Sequence, residues 1–211
     1  MKLLILSLAT LTAMLNPLTV STKQINSQNK QNNGLISNYT YKIDKPITKF
    51  AHINNQINDY IDSKLEGFLQ YENNDGMKYD FYTEYTKNTY KNFTFIQIYV
   101  YMFVGGAHYS VESKQITFDE NGNLLELKDF FKDKAYLATI SNISYKILLA
   151  KNINSDETWI KNGTEALLDN YSLYYFNESG LNIIFPPYQV APWVSGHIKI
   201  TIDYNELKNI M

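Results

Sequence analysis

At 211 residues, with 45% apolar and 19% charged side chains, the chain has the composition of a globular domain large enough for a substantial core. Its formal net charge of −2 offers no pull toward nucleic acid, and all 19 basic residues are lysines, so the bidentate guanidinium fork suited to phosphates and base edges is missing. Cysteine is absent too, which excludes disulfides, thiolate metal sites and cysteine nucleophiles.

Lys2 and the apolar run Leu3 to Leu15, broken at Pro17, read as a secretory signal peptide at residues 1–21. The run is shorter than the roughly 20 residues that span a bilayer, so cleavage after Ser21 is expected, with a retained anchor as the alternative. No other segment has the apolar length to cross a membrane. After cleavage the protein is expected in the periplasm or outside the cell.

Residues 22–37 are rich in Asn, Gln, Ser and Lys and read as a flexible leader, because so polar a stretch cannot offset its own ordering entropy. Tyr39 to Asp44 alternates like a strand. From Phe50 to Leu69, apolar residues recur at three and four along one helix face. Lys78 to Lys87 and Phe93 to Val104 are predicted strands joined through residues 88–92. A third strand, Tyr109 to Phe118, ends at the Asn121-Gly122 hairpin signal.

Leu127 to Phe131 begins a short helical segment, and Tyr136 to Ala150 has helical spacing. Leu173 to Phe176 and Leu181 to Phe185 flank a turn at residues 177–180. A closing strand, His197 to Ile202, precedes a C-terminal turn capped by Asp203. The fold class expected is α+β, an antiparallel sheet packed against two main helices.

Two motifs stand out along this plan. Gly105-Gly106-Ala107-His108 follows an aromatic strand, where adjacent glycines mark a bend or a close approach. Near the end comes Tyr188-Gln189-Val190-Ala191-Pro192-Trp193, with Gly196 three residues on. Between them lie the Phe118-Asp119 hairpin and Leu127-Lys128-Asp129-Phe130-Phe131. In that order they resemble the C-terminal domain-of-unknown-function family of the lysozyme-sensing anti-sigma factor RsiV and of PdaC-type polysaccharide deacetylases. Residues 39–104 resemble the companion N-terminal unit of those proteins.

The resemblance divides the mature chain into an N-terminal unit, residues 38–98, and a C-terminal domain, residues 99–211. The family's last motif more often holds Pro-Tyr where this chain has Pro192-Trp193. Neither the catalytic deacetylase domain nor the cytoplasmic anti-sigma segment is found in the sequence. A stand-alone extracytoplasmic binding module is therefore implied, with lysozyme or another envelope protein, or a peptidoglycan-type glycan, as its partner.

The candidate binding residues are Gly105, Gly106, His108, Tyr188, Pro192, Trp193 and Gly196. His108 reads either as a hydrogen-bonded structural ring fixing the bend or as a metal ligand or general base. Zinc needs three or four ligands, and His52 and His197 stand in unrelated contexts, so no metal, no cofactor and no catalytic residue is expected. Tyr188, Trp193 and Trp159 suit either sugar stacking or ordinary packing. Pro186, Pro187 and Pro192 stiffen their loop, and a stiff loop loses little entropy on binding. The acidic residues Asp119, Glu120, Glu126 and Asp129 occupy turns, where carboxylates are usually capping or solvated groups. The alternative is a cell-wall glycan hydrolase or deacetylase-like enzyme using His108.

Overall fold

One strand is buried on both faces, and the molecule is arranged around it. In the computed structural model, which describes residues 30–32, 35–73, 76–151 and 153–211, this is β4 (Phe93–Phe103), whose residues from Phe95 to Val100 are all buried. β1 (Lys30–Asn32), β2 (Leu35–Lys42), β3 (Lys78–Tyr90), β4, β5 (Ser110–Asp119) and β6 (Leu124–Leu125) form a six-stranded sheet in sequential order. Helix α1 (Ala51–Leu69) crosses from β2 to β3, so this pair is parallel, as a crossover connection requires, while the other neighbours are antiparallel.

Alternation along β4 sends its side chains to two different partners. Ile96 and Ile98, with Ile116 and Phe118 of β5, pack on Ile53, Ile57 and Ile61 of α1. Val100 joins Phe81 and Tyr79 against Phe68, in the last turn of the helix. The other face carries Phe95, Gln97 and Tyr99, and meets the C-terminal half of the chain. That half comprises α2 (Tyr136–Lys151), α3 (Glu157–Gly163), a second sheet of β7 (Tyr174–Asn177), β8 (Gly180–Phe185) and β9 (Ile198–Ile202), and the short α4 (Tyr204–Leu207). Phe95 meets Tyr174 edge-on, ring centres 5.9 Å apart, and Tyr99 packs with Leu173 and Ile184. Ile140 and Leu148 of α2 close the same core over Leu181, Ile183, Ile200 and Ile202.

Gln97 is fully buried in the otherwise apolar run from Phe95 to Val100, and its carboxamide is completely used. Its Nε2 donates to Gln115 Oε1 and to the Tyr174 carbonyl, each at 2.9 Å. Its Oε1 accepts from Thr86 at 2.6 Å and Asn88 at 3.3 Å. Gln115 in turn accepts from the Tyr174 amide at 3.3 Å. A short polar ladder thus fixes the second sheet onto the first.

The α+β class holds, with differences in its parts. The expected sheet is two sheets, and one strand pair is parallel. The expected connection at residues 88–92 shrinks to the two-residue turn Lys91-Asn92, because β3 runs on to pair Tyr90 with Phe93. Helix α3 was not foreseen: it is seven residues long, too short for periodicity, and starts where Asp156 accepts from the Trp159 amide at 2.8 Å. Part of the polar stretch 22–37 is strand, since β1 and the start of β2 pair through backbone groups that need no apolar side chain. The boundary at 98/99 falls inside β4. The signal peptide, residues 1–21, lies outside the described residues.

Replacing Gln97 by Leu leaves the half-buried Gln115 and the buried Tyr174 carbonyl short of partners, while the exposed Thr86 can turn to water. Urea unfolding should show a loss of about 2–4 kcal/mol with the slope unchanged, since each orphaned buried polar group costs about 1–3 kcal/mol.

Candidate recognition site

The connection between β4 and β5 turns at Gly105 and Gly106, with φ of +97° and +99°, values that side-chain-bearing residues rarely adopt. This bend brings His108 back over the sheet end. Its Nδ1 lies 2.8 Å from the Tyr109 carbonyl, which only accepts, so Nδ1 carries a proton. Its Nε2 lies 2.9 Å from the hydroxyl of Tyr188, 80 residues away in sequence. With a neutral ring, that hydroxyl donates to Nε2. The imidazole also stacks on Trp193, ring centres 4.4 Å apart and planes within 15°.

Tyr188 and Trp193 come from the segment between β8 and β9. Pro187 and Tyr188 are the central residues of a turn closed by the Gln189 amide on the Pro186 carbonyl at 3.2 Å. Tyr188 takes φ +71° there, a position that ordinarily suits glycine, and such strain persists only when surroundings enforce it. The enforcing contacts are identifiable. The Trp159 indole donates to the Tyr188 carbonyl at 3.0 Å, and the Tyr188 amide donates to the Ala191 carbonyl at 3.1 Å.

Gln189 Nε2 donates to the carbonyls of Gly163 and Asn170, at 2.8 and 2.9 Å. Val190 and Ala191 are buried beneath. Gly163 ends α3 so close to this segment that an added Cβ would lie 2.0 Å from the Gln189 carbonyl oxygen. Pro192 then leads into a 3-10 turn, Trp193–Ser195, which closes at Gly196.

The sequence candidates His108, Tyr188 and Trp193 therefore meet in one cluster. Gly105, Gly106, Pro192 and Gly196 shape the two loops that carry it. Tyr188 and Val194 remain 55% and 82% exposed, giving the second loop a projecting, partly apolar surface. Trp159 supports that loop from below through its indole N–H. His197 does not join His108: its ring lies edge-on to Tyr99, centres 4.8 Å apart, and burial lowers its pKa.

Beside the cluster, the Tyr109 hydroxyl donates to Asp80 at 2.8 Å, and Thr40 donates to the other carboxylate oxygen at 2.5 Å. Burial, followed by the Asp80 hydrogen bond, pushes the Tyr109 pKa up to about 12. Tyr82 stacks on Tyr101 at 4.5 Å and meets Tyr109 edge-on. Asp80 and this group of rings had no sequence signal, because strand register alone brings them together.

The turn carboxylates sit elsewhere. Asp119 is held by Asn123 and Asn121, whose hydrogen bonds lower its pKa, the Asn123 side chain first. Glu126 and Asp129 cap the 3-10 turn Leu127–Phe130. Among the described residues, no group of three or more His, Asp or Glu side chains is placed to hold a metal ion. Nor is any helix among them long and apolar enough to cross a membrane.

These features describe an α+β domain with an aromatic, proline-stiffened surface loop. Residues 128–205 match the family described as "Protein of unknown function (DUF3298)". Over 114 residues the chain is 33% identical to the peptidoglycan-N-acetylmuramic acid deacetylase PdaC of Bacillus subtilis (strain 168), an alignment covering 53% of this chain and 24% of that enzyme. The chain thus spans about a quarter of this curated relative.

Two solved structures share the fold. A DUF3298 family member from Bacteroides fragilis has a TM-score of 0.59 at 16% identity, covering 90% of this chain and 91% of its own. A DUF3298 family protein from Pseudomonas aeruginosa PAO1 has a TM-score of 0.59 at 18% identity, with coverages of 92% and 94%. The resemblance to the deacetylase-associated family of unknown function, drawn from the tetrad and the Tyr188 to Gly196 loop, stands in these matches.

His197 makes acid stability sensitive to one ring. Burial sets its native pKa below the ordinary 6.5, so the unfolded chain takes up the proton first. The contribution is complete above that pH and is lost as pH falls through 6.5 toward the native value. Urea midpoints measured between about pH 7.5 and 5.5 should fall less steeply for His197→Phe than for the parent chain.

Proposed function

We infer that this chain serves as a recognition module at the bacterial cell envelope, and that its ligand contacts the surface made by His108, Tyr188 and Trp193. The observation that carries this reading is the convergence of three aromatic rings from two distant segments, one of them a loop held in a strained conformation. Proline, buried anchors and the Gln189 contacts hold that loop before any ligand arrives. A preformed surface of rings with hydroxyl and imidazole groups suits a sugar polymer, which offers apolar ring faces alongside many hydroxyls. Identity to part of a peptidoglycan deacetylase supports a peptidoglycan-type glycan as the ligand, and export to the periplasm or beyond as the location.

A second reading, recognition of a protein such as lysozyme, is favoured by one feature. Val194 is 82% exposed beside the exposed Tyr188, an apolar tip suited to a partner's cleft. The enzyme reading through His108 finds less support. The polar partners of that ring are a carbonyl and a phenol, and its stacking neighbour is an indole, with no carboxylate among the described residues bonded to it to orient it as a base.

Co-sedimentation of the exported chain with purified peptidoglycan, and pull-down on a panel of lysozymes, tests both readings. Retention on peptidoglycan should fall at least about tenfold in Trp193→Ala and Tyr188→Ala, with the circular dichroism spectrum unchanged. Retention by lysozyme but not by peptidoglycan moves the assignment to the second reading. Failure to bind either ligand, or equal binding by both variants, sinks the recognition role of this surface.

A further inference from the structure

On the α1 side of the large sheet, a cleft of about 420 Å3 opens between the last turns of α1 and the ends of β4 and β5. Small-molecule sites commonly enclose about 300–1,000 Å3. Met102 provides apolar lining over the fully buried Phe68, and Tyr71, 51% exposed, stands beside it. Lys64 of α1 and Glu112 of β5 contribute opposite charges to the same cleft and form an ion pair with each other.

Two observations set this cleft apart from a surface dimple. The first is the unused capacity of the pair. Its side chains are 29% and 44% exposed. An ammonium offers three donors and a carboxylate about four acceptor positions, so one mutual contact leaves both groups able to bind further. The second is Gly67. Glycine is the weakest helix former after proline, yet Gly67 sits inside α1. A Cβ added to it would meet nothing within 4 Å. Neither a crowded neighbour nor a turn requires glycine there, and what the missing side chain leaves is room in the cleft.

We propose that this cleft binds a free amino acid with an apolar side chain. Its carboxylate is held by Lys64, its ammonium by Glu112, and its side chain rests against Met102 and Tyr71. The charge argument selects a zwitterion. A simple anion drawn to Lys64 would lie against the Glu112 carboxylate, and a simple cation would meet the mirror-image repulsion. Only a ligand with both charges gains at both ends. The site is formed by residues other than His108, Tyr188 and Trp193, so it stands or falls separately from the recognition surface.

The test is an NMR titration of the isotopically labelled chain with L-phenylalanine and L-leucine, using 2-phenylethylamine and 3-phenylpropionate as singly charged controls. The amino acids should shift resonances of residues 63–71, Met102 and Glu112, and the controls should bind at least about tenfold more weakly. Glu112→Gln and Lys64→Met should each weaken binding about tenfold while folding normally, because an exposed ion pair adds little to stability. Gly67→Leu, which places a good helix former in the empty space, should abolish the shifts. The proposal is overturned by equal binding of the singly charged controls, by binding that survives Glu112→Gln, or by no shift at these residues up to about 10 mM ligand.

Discussion

The hydrogen-bonded carboxamide of Gln97 is the interaction on which the remainder of the molecule depends. A buried amide is tolerable only if every donor and acceptor is matched, and here all of them are, by groups from β3, β5 and β7. The apolar contacts around it, Phe95 on Tyr174 and Tyr99 on Leu173 and Ile184, supply attraction with little directional preference. The amide ladder supplies register. It specifies which backbone position of β7 lies over which residue of β4, and so places the second sheet.

That placement is felt at the far end of β4. The tetrad connection belongs to the large sheet, and the Tyr188–Trp193 loop hangs from the small one. A shift of one sheet over the other by a single residue would separate His108 from both of its aromatic neighbours. The His108–Tyr188–Trp193 cluster is therefore assembled by tertiary registration, with the strain at Tyr188 offset by contacts from α3 and from the tetrad itself. Tyr188 at φ +71° in place of a glycine is intelligible on those terms: the loop gives up some ease of folding to aim one phenol at one imidazole.

Much of the secondary structure was legible because it is written in local periodicity. Ile53, Ile57 and Ile61 mark the buried face of α1, and Asn121-Gly122 marks the turn into β6. What escaped was non-local or too short. Seven residues of α3 contain too few apolar positions to show a helical period. The split into two sheets escaped because strand runs announce themselves without naming their neighbours. The tetrad and the Pro192-Trp193 loop could each be singled out as unusual, but nothing in either motif says that an imidazole will stack on an indole. Lys64 and Glu112 drew no notice, since charged residues on a helix and on a strand are ordinary until their elements are laid side by side.

Gln97 and Phe95 also bear on what counts as a unit in this protein. The segment matching the domain family begins at residue 128. Yet the core of that segment is completed by Phe95, and β7 is pinned by Gln97 and Gln115, all three of which precede it. A stretch recognisable by its family match is thus not self-sufficient physically: removed from β4 and β5, it would present an uncovered apolar face and unsatisfied backbone groups to water. Inheritance can track such a segment from one protein to another, but cooperativity requires the preceding sheet to travel with it.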